Sequence, residues 1–128
     1  MPDMLDVVCI VEDDAAVRSA LKFTLEIEGL SVRTYDGPVS LLEDRHLPPF
    51  GCLVVDYRMP VMDGLELTAA LRERGLTAPA IMITGRSSKD LRARAEKLGI
   101  RHLLEKPLSD SALIDAIRDS LKAPIRRV

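Results

Sequence analysis

The sequence predicts a doubly wound α/β fold, a five-stranded parallel sheet with five helices on its two faces, and three observations carry that prediction. Short aliphatic runs recur along the chain, stretches with helical spacing separate them, and glycine or proline stands at the joints. Strands that read as near-continuous apolar runs need cover on both faces, and right-handed crossovers place helices above and below such a sheet.

Taken in order, Val7 to Val11 is the first strand, and Val17, Leu21 and Leu25 mark one face of a helix that stops at Gly29. Leu30 to Tyr35 alternates in the manner of a half-exposed strand. Pro38 opens a short helical stretch carrying Val39 and Leu42, and Leu53 to Val55 is the third strand. Leu67, Ala70 and Leu71 stripe the next helix, which Gly75 ends; Pro79 then precedes the strand Ala80 to Ile83. Leu91, Ala95 and Leu98 stripe a fourth helix ending at Gly99, Leu103 and Leu104 form the last strand, and after Pro107 a fifth helix carries Leu113, Ile117 and Leu121. The segment 123–128 begins with Ala123-Pro124 and carries two arginines, which reads as a tail or the start of a linker after a domain at 1–122.

At 128 residues, 47% of them hydrophobic, the chain matches one domain able to bury a core without metals or disulfides. Aromatic residues are 3% and Trp is absent, so stacking platforms for bases or sugars are scarce. A net charge of −2 supplies no basic field for a phosphate backbone, so no nucleic-acid contact by this domain is expected. The acidic start lacks the character of a secretory signal, and no apolar run reaches the roughly 20 residues that cross a bilayer; a cytoplasmic location and no membrane contact are expected. Cys9 and Cys52 lie in aliphatic runs without a second pair, as buried structural thiols.

Ligands of an open parallel sheet bind beyond the carboxyl ends of its strands. Those ends carry Glu12-Asp13-Asp14, Asp56, Thr84-Gly85 and Lys106-Pro107. A nucleotide site would place a glycine-rich turn after the first strand, whereas the acidic triplet found there repels phosphate. Clustered carboxylates call for a hard divalent cation with oxygen ligands, and Mg²⁺ suits them best. Thr84 can then hydrogen-bond an incoming anion while Lys106 pairs with it.

Ile10-Val11-Glu12-Asp13-Asp14, the block Val54-Val55-Asp56-Tyr57-Arg58-Met59-Pro60-Val61-Met62-Asp63-Gly64, Ile83-Thr84-Gly85 and Glu105-Lys106-Pro107 follow one another in an order and spacing that resembles the receiver domains of bacterial two-component response regulators. The block continuing to Leu65-Glu66-Leu67 is most similar to the FixJ, or nitrogen-fixation-regulator, type. The resemblance implies strand order 2-1-3-4-5, Mg²⁺-dependent phosphorylation on Asp56, and Thr84 and Lys106 on the phosphoryl oxygens. It implies Glu12, Asp13, Asp56 and the backbone carbonyl of Arg58 as the metal set, a cis Lys106-Pro107 bond, and a histidine kinase or histidine phosphotransfer protein as partner. It also implies a regulatory phosphoacceptor with at most slow autodephosphorylation, and a possible homodimer through the fourth helix and fifth strand, about Ser88 to Lys106.

Other readings compete at single positions. Asp14 is read as a helix cap and Asp63-Gly64 as a helix-start turn; His46 and His102 are read as surface or edge residues. Arg58 and Arg86 stand two residues beyond Asp56 and Thr84, positions that the resemblance implies overhang the site, where they either tune phosphoryl lifetime or are solvated charge. Leu103 stands where receivers commonly carry an aromatic that swings inward, and Glu12 where Asp is common. A haloacid-dehalogenase-type phosphatase would need a second Asp two residues after the nucleophile, and Arg58 is there. A pseudo-receiver that binds partners without phosphorylation is the alternative function, favoured by Leu103 and opposed by the complete acid, Thr and Lys set.

Overall fold

Five strands, β1 (Val7–Val11), β2 (Ser31–Tyr35), β3 (Cys52–Asp56), β4 (Ala80–Thr84) and β5 (Ile100–Glu105), pair in parallel in the order β2-β1-β3-β4-β5 in the computed structural model, which describes residues 7–47 and 49–122. The expected order is therefore found, and the tail at 123–128 lies outside the described residues. The intervening helices are α1 (Ala15–Ile27), α2 (Pro38–Leu42), α3 (Gly64–Glu73), α4 (Lys89–Lys97) and α5 (Asp110–Lys122). Gly29, Gly75 and Gly99 follow α1, α3 and α4 with φ of 87°, 88° and 75°, the left-handed conformation that closes a helix.

Because successive strand side chains point to opposite faces, the central strands feed two cores. Cys9, Val11, Leu53, Val55 and Met82 face α2, α3 and α4, where Leu41, Leu67, Leu71 and Leu91 close over them. Val8, Ile10, Val54, Ile81 and Ile83 face α1 and α5, where they meet Leu25, Leu113 and Ile117. Both cysteines are buried and unbridged on opposite faces, and burial pushes each thiol up to about 12. Arg72 ties the far ends of α3 and α4 together, its Nε donating to the Leu98 carbonyl at 2.8 Å and its Nη1 to the Leu76 carbonyl at 2.9 Å.

The helix stripes differ from expectation in two places. Val17 is exposed, and Leu25 is the fully buried anchor of α1 with half-buried Leu21 packed beside it; β1 has already ended at Val11, and the first turn of α1 stands beyond the carboxyl edge of the sheet. In the five-residue α2, Pro38 and Leu41 are buried and Val39 is exposed, one position out of phase with the expected pair Val39 and Leu42. The last strand is longer than the Leu103–Leu104 run because it is an edge strand interrupted by a bulge. Ala80 pairs with Ile100 but Ile81 with His102, which leaves Arg101 as the extra residue. Among the described residues no helix is long and apolar enough to cross a membrane.

Candidate functional site

Register brings the acids together. Val11 of β1 pairs with Val55 of β3, so the next residues, Glu12 and Asp56, leave the same edge of the sheet side by side. One carboxylate oxygen from each of Glu12, Asp13 and Asp56 lies within 4.8 Å of the others, with Glu12 4% and Asp56 6% exposed while Asp13 faces solvent. From the other side, Lys106 Nζ reaches Asp56 Oδ2 at 3.3 Å. The Lys106 N–H donates to the Thr84 carbonyl at 2.9 Å, which extends the β4–β5 ladder, and the Lys106–Pro107 bond is cis. The resulting patch holds three carboxylates and one ammonium group.

That surplus of negative charge acts on Glu12. Burial is the largest cause that raises its carboxyl group to about 7; the Asp14 N–H, donated to Glu12 Oε2 at 3.0 Å, opposes the rise, and the nearby Asp56 charge adds to it. A hard divalent cation fits this donor set, because all the side-chain ligands are oxygens, their charge is under-compensated, and Asp13 leaves a solvent-facing side for water.

Asp14 does not join the acids. Its Oδ1 accepts the Ala16 and Val17 N–H groups at 2.9 and 3.1 Å and caps α1. Asp63 and Glu66 form the reciprocal cap of α3, at 2.8 and 2.9 Å. Arg58 folds over the carboxylate through its backbone, its N–H lying 3.4 Å from Asp56 Oδ1, while its exposed guanidinium sits 5.9 Å from the centre of the Tyr57 ring. Thr84 is buried, and its hydroxyl is engaged with Arg86: it donates to the Arg86 carbonyl at 3.0 Å and accepts the Arg86 N–H at 3.3 Å. His46 is exposed, and His102 lies on the edge strand with Nε2 3.3 Å from Asp119, both away from the acids.

Three contributions were not legible in the motifs. Arg18 Nη1 donates to the Glu12 carbonyl at 2.9 Å and steadies the turn that presents Glu12; nothing in an arginine on an exposed helix turn signals this. Gly64 packs its backbone directly on that of Asp56, so that a Cβ built there would meet the Asp56 carbonyl oxygen at 2.8 Å. Val61 has φ of 75° and is 85% exposed, in a γ-turn closed by the Met62 N–H donating to the Pro60 carbonyl at 2.8 Å. A β-branched residue is strained in that conformation. Val61→Gly should therefore raise unfolding stability by about 1 kcal/mol, the relief of left-handed strain less the added chain entropy of glycine. Urea unfolding of the two proteins measures it, and an unchanged or lower midpoint would show that the turn stores no strain.

A sequence profile described as the response regulator receiver domain matches residues 8–118. The transcriptional regulatory protein FixJ of Azorhizobium caulinodans is 41% identical over 121 residues, covering 94% of this chain and 57% of the relative. The response regulator protein TodT of Pseudomonas putida is 37% identical over 128 residues, covering 99% of this chain and 56% of the relative. The chain thus spans just over half the length of these curated relatives. Among solved structures, the crystal structure of FixJ-N superposes with a TM-score of 0.83 at 31% identity, covering 99% of this chain and all of that one.

Proposed function

The chain belongs to the response regulator receiver domain family, and on that premise we propose that Asp56 is its phosphoacceptor and that Glu12, Asp13, Asp56 and the Arg58 carbonyl hold Mg²⁺. The observation that carries the proposal is Asp56 itself, a buried carboxylate between an acidic pair and Lys106 Nζ at 3.3 Å, at the carboxyl edge of a parallel sheet. An Asp56 oxygen attacks the phosphorus of a phosphohistidine on a histidine kinase or phosphotransfer protein; the P–N bond breaks, and the imidazole keeps the electron pair and takes up a proton. Lys106 offsets charge on the transferring oxygens, and Thr84, once its hydroxyl releases Arg86, donates to another. When bound, Mg²⁺ neutralises the charge that gathers as the phosphoryl group meets the carboxylates. Positioning supplies most of the rate, the donor bond supplies the driving force, and the domain acts as a cytoplasmic switch with at most slow autodephosphorylation.

Residues 1–122 are proposed as the receiver, with 123–128 leading toward a linker. A homodimer through α4 and β5 belongs to the same proposal with a narrower apolar footprint, because Leu91 turns into the core and leaves half-buried Leu98 and Leu103 among charged neighbours.

Incubation with acetyl phosphate and Mg²⁺ followed by intact mass measurement tests the proposal. One phosphoryl group should appear with metal and none with a chelator. Folded protein that takes up nothing would instead support a partner-binding module that works without phosphorylation.

The Glu12 carboxyl also predicts how metal binding responds to pH. In the metal-free fold its value is raised from 4.5 to about 7, so its contribution to stability is full below about 4.5 and lost as pH rises through about 7, where the ionised form carries the cost of burial. The cation needs that ionised form, so it competes with the proton. The thermal stabilisation given by a fixed Mg²⁺ concentration should grow severalfold between about pH 6 and about pH 8. A Glu12→Gln variant should show a flatter profile, and a wild-type profile equally flat would rule out Glu12 as a titrating ligand.

A further inference from the structure

Between Thr84 and α4 the chain is tied down at three points. Thr84 is bonded to Arg86, and Ser88 Oγ caps α4 by accepting the Leu91 N–H at 3.0 Å. The third tie crosses to another strand. Glu105 Oε2 accepts the Ser87 N–H at 2.8 Å and the Ser87 hydroxyl at 2.7 Å, while Arg92 Nη2 donates to Ser87 Oγ at 3.1 Å. Glu105 immediately precedes Lys106, and Ser87 lies three residues beyond Thr84, so this tie flanks both groups assigned to the phosphoryl oxygens.

We propose that Glu105 and Ser87 form a latch that holds the loop between β4 and α4 in its resting position, and that a phosphoryl group on Asp56 opens it by drawing the Thr84 hydroxyl away from Arg86. The inference rests on the phosphoacceptor reading above. A hydroxyl has one proton to donate, and that of Thr84 is given to the Arg86 carbonyl; serving a phosphoryl oxygen requires its release. Arg86 also donates its N–H back to Thr84, so the loop loses both of these bonds together. What then resists movement is the bond pair to the Glu105 carboxylate, of the charge-assisted kind. The Ser87 hydroxyl, and then its N–H, hold that carboxyl below its ordinary value, so it is ionised at neutral pH. Ser88, the α4 cap, is the next residue, so the latch determines whether a change at Thr84 reaches the start of α4. Leu103 has no hydroxyl with which to make such a link from the middle of β5, whereas Glu105 makes it from the strand's end.

A contact made in the resting state and broken in the occupied one weakens binding of whatever fills the site. Calorimetric titration of the Mg²⁺-loaded protein with beryllium fluoride, a tetrahedral mimic of the phosphoryl group, reads that penalty directly. Glu105→Ala, which removes both bonds, should bind the mimic at least about fivefold more tightly than wild type, the weight of roughly one net hydrogen bond, and Ser87→Ala, which keeps the backbone N–H bond, should gain less. The double variant should bind no tighter than Glu105→Ala, because the hydroxyl bond that Ser87→Ala removes is half of the contact that Glu105→Ala removes whole. Glu105→Gln, which keeps an acceptor, should fall between wild type and Glu105→Ala. Affinities equal to wild type would mean that the contact persists in both states, and weaker binding would mean that Glu105 positions Lys106; either overturns the latch. Additive gains in the double variant would also overturn it, as two independent contacts. Wild type that fails to bind the mimic at all would remove the phosphoacceptor reading, a failure distinct from that of the latch.

Discussion

Asp56→Asn should take up no phosphoryl group from acetyl phosphate at any Mg²⁺ concentration, while remaining folded. Asparagine matches aspartate in shape, so the packing at this 6% exposed position is kept, and its amide oxygen can still accept the Arg58 N–H now 3.4 Å away. What disappears is the proposed nucleophile, because an amide oxygen lacks the charge needed to attack phosphorus. The effect on stability separates function from structure. The substitution removes one of three carboxylates gathered within 4.8 Å, which relieves repulsion in the metal-free protein. It also strips Lys106 of its partner, but that side chain is 47% exposed and can turn toward water, so the lost pair is worth no more than about 1 kcal/mol. Metal-free stability should therefore stay level or rise, and the stabilisation given by Mg²⁺ should shrink. Intact mass and thermal unfolding on the same samples measure both. A phosphoryl adduct on the variant would place the acceptor elsewhere, and a collapse in stability would make Asp56 a structural residue.

Much of this site was readable because the parallel sheet converts sequence position into spatial position. Glu12, Asp56, Thr84 and Lys106 each lie just past an apolar run, and one edge of one sheet gathers all such positions. The same logic made the caps legible, since Asp14 and Asp63 stand before helices and bond their own first turns. Contacts joining two points that the chain does not relate by a repeat escaped. Glu105 reaches Ser87 18 residues away, and Arg72 reaches the carbonyl of Leu98 26 residues away; neither pairing follows from helical or strand periodicity. Val17 and Val39 erred for another reason. Periodicity reports which positions share a helix face, but not how far along the helix the sheet still lies beneath that face, nor the phase of a helix only five residues long. The edge strand is hidden in the same way, for one bulged residue, Arg101, splits an apolar pattern that would otherwise mark the strand from Ile100 onward.

Gly64→Ala provides a test in which the local and the tertiary arguments predict opposite signs. Considered as part of α3 alone, the change is favourable, because alanine in a helix is worth roughly 0.5 to 1 kcal/mol over glycine. The tertiary setting reverses this. The added Cβ would lie 2.8 Å from the Asp56 carbonyl oxygen, 3.1 Å from Tyr57 Cα and 3.3 Å from the Asp56 carbonyl carbon, all backbone atoms that no rotamer change can move aside. Nor can α3 easily back away, because the Gly64 N–H donates to the Tyr57 carbonyl at 2.8 Å and Asp63 caps the helix one residue earlier. Relief must come from moving the end of β3, which carries the proposed acceptor. We expect a net loss of about 2 kcal/mol, within the range for overpacking a tight site, together with phosphoryl uptake slowed at least tenfold, since small displacements of a reacting group have large effects on rate. Urea unfolding and timed acetyl phosphate uptake read the two effects separately. If alanine stabilises the protein and uptake is unchanged, α3 has shifted without disturbing Asp56, and Gly64 serves only to begin a helix. If stability falls and uptake slows together, the glycine belongs to the site, because its missing side chain is what lets α3 start directly against the backbone that presents Asp56.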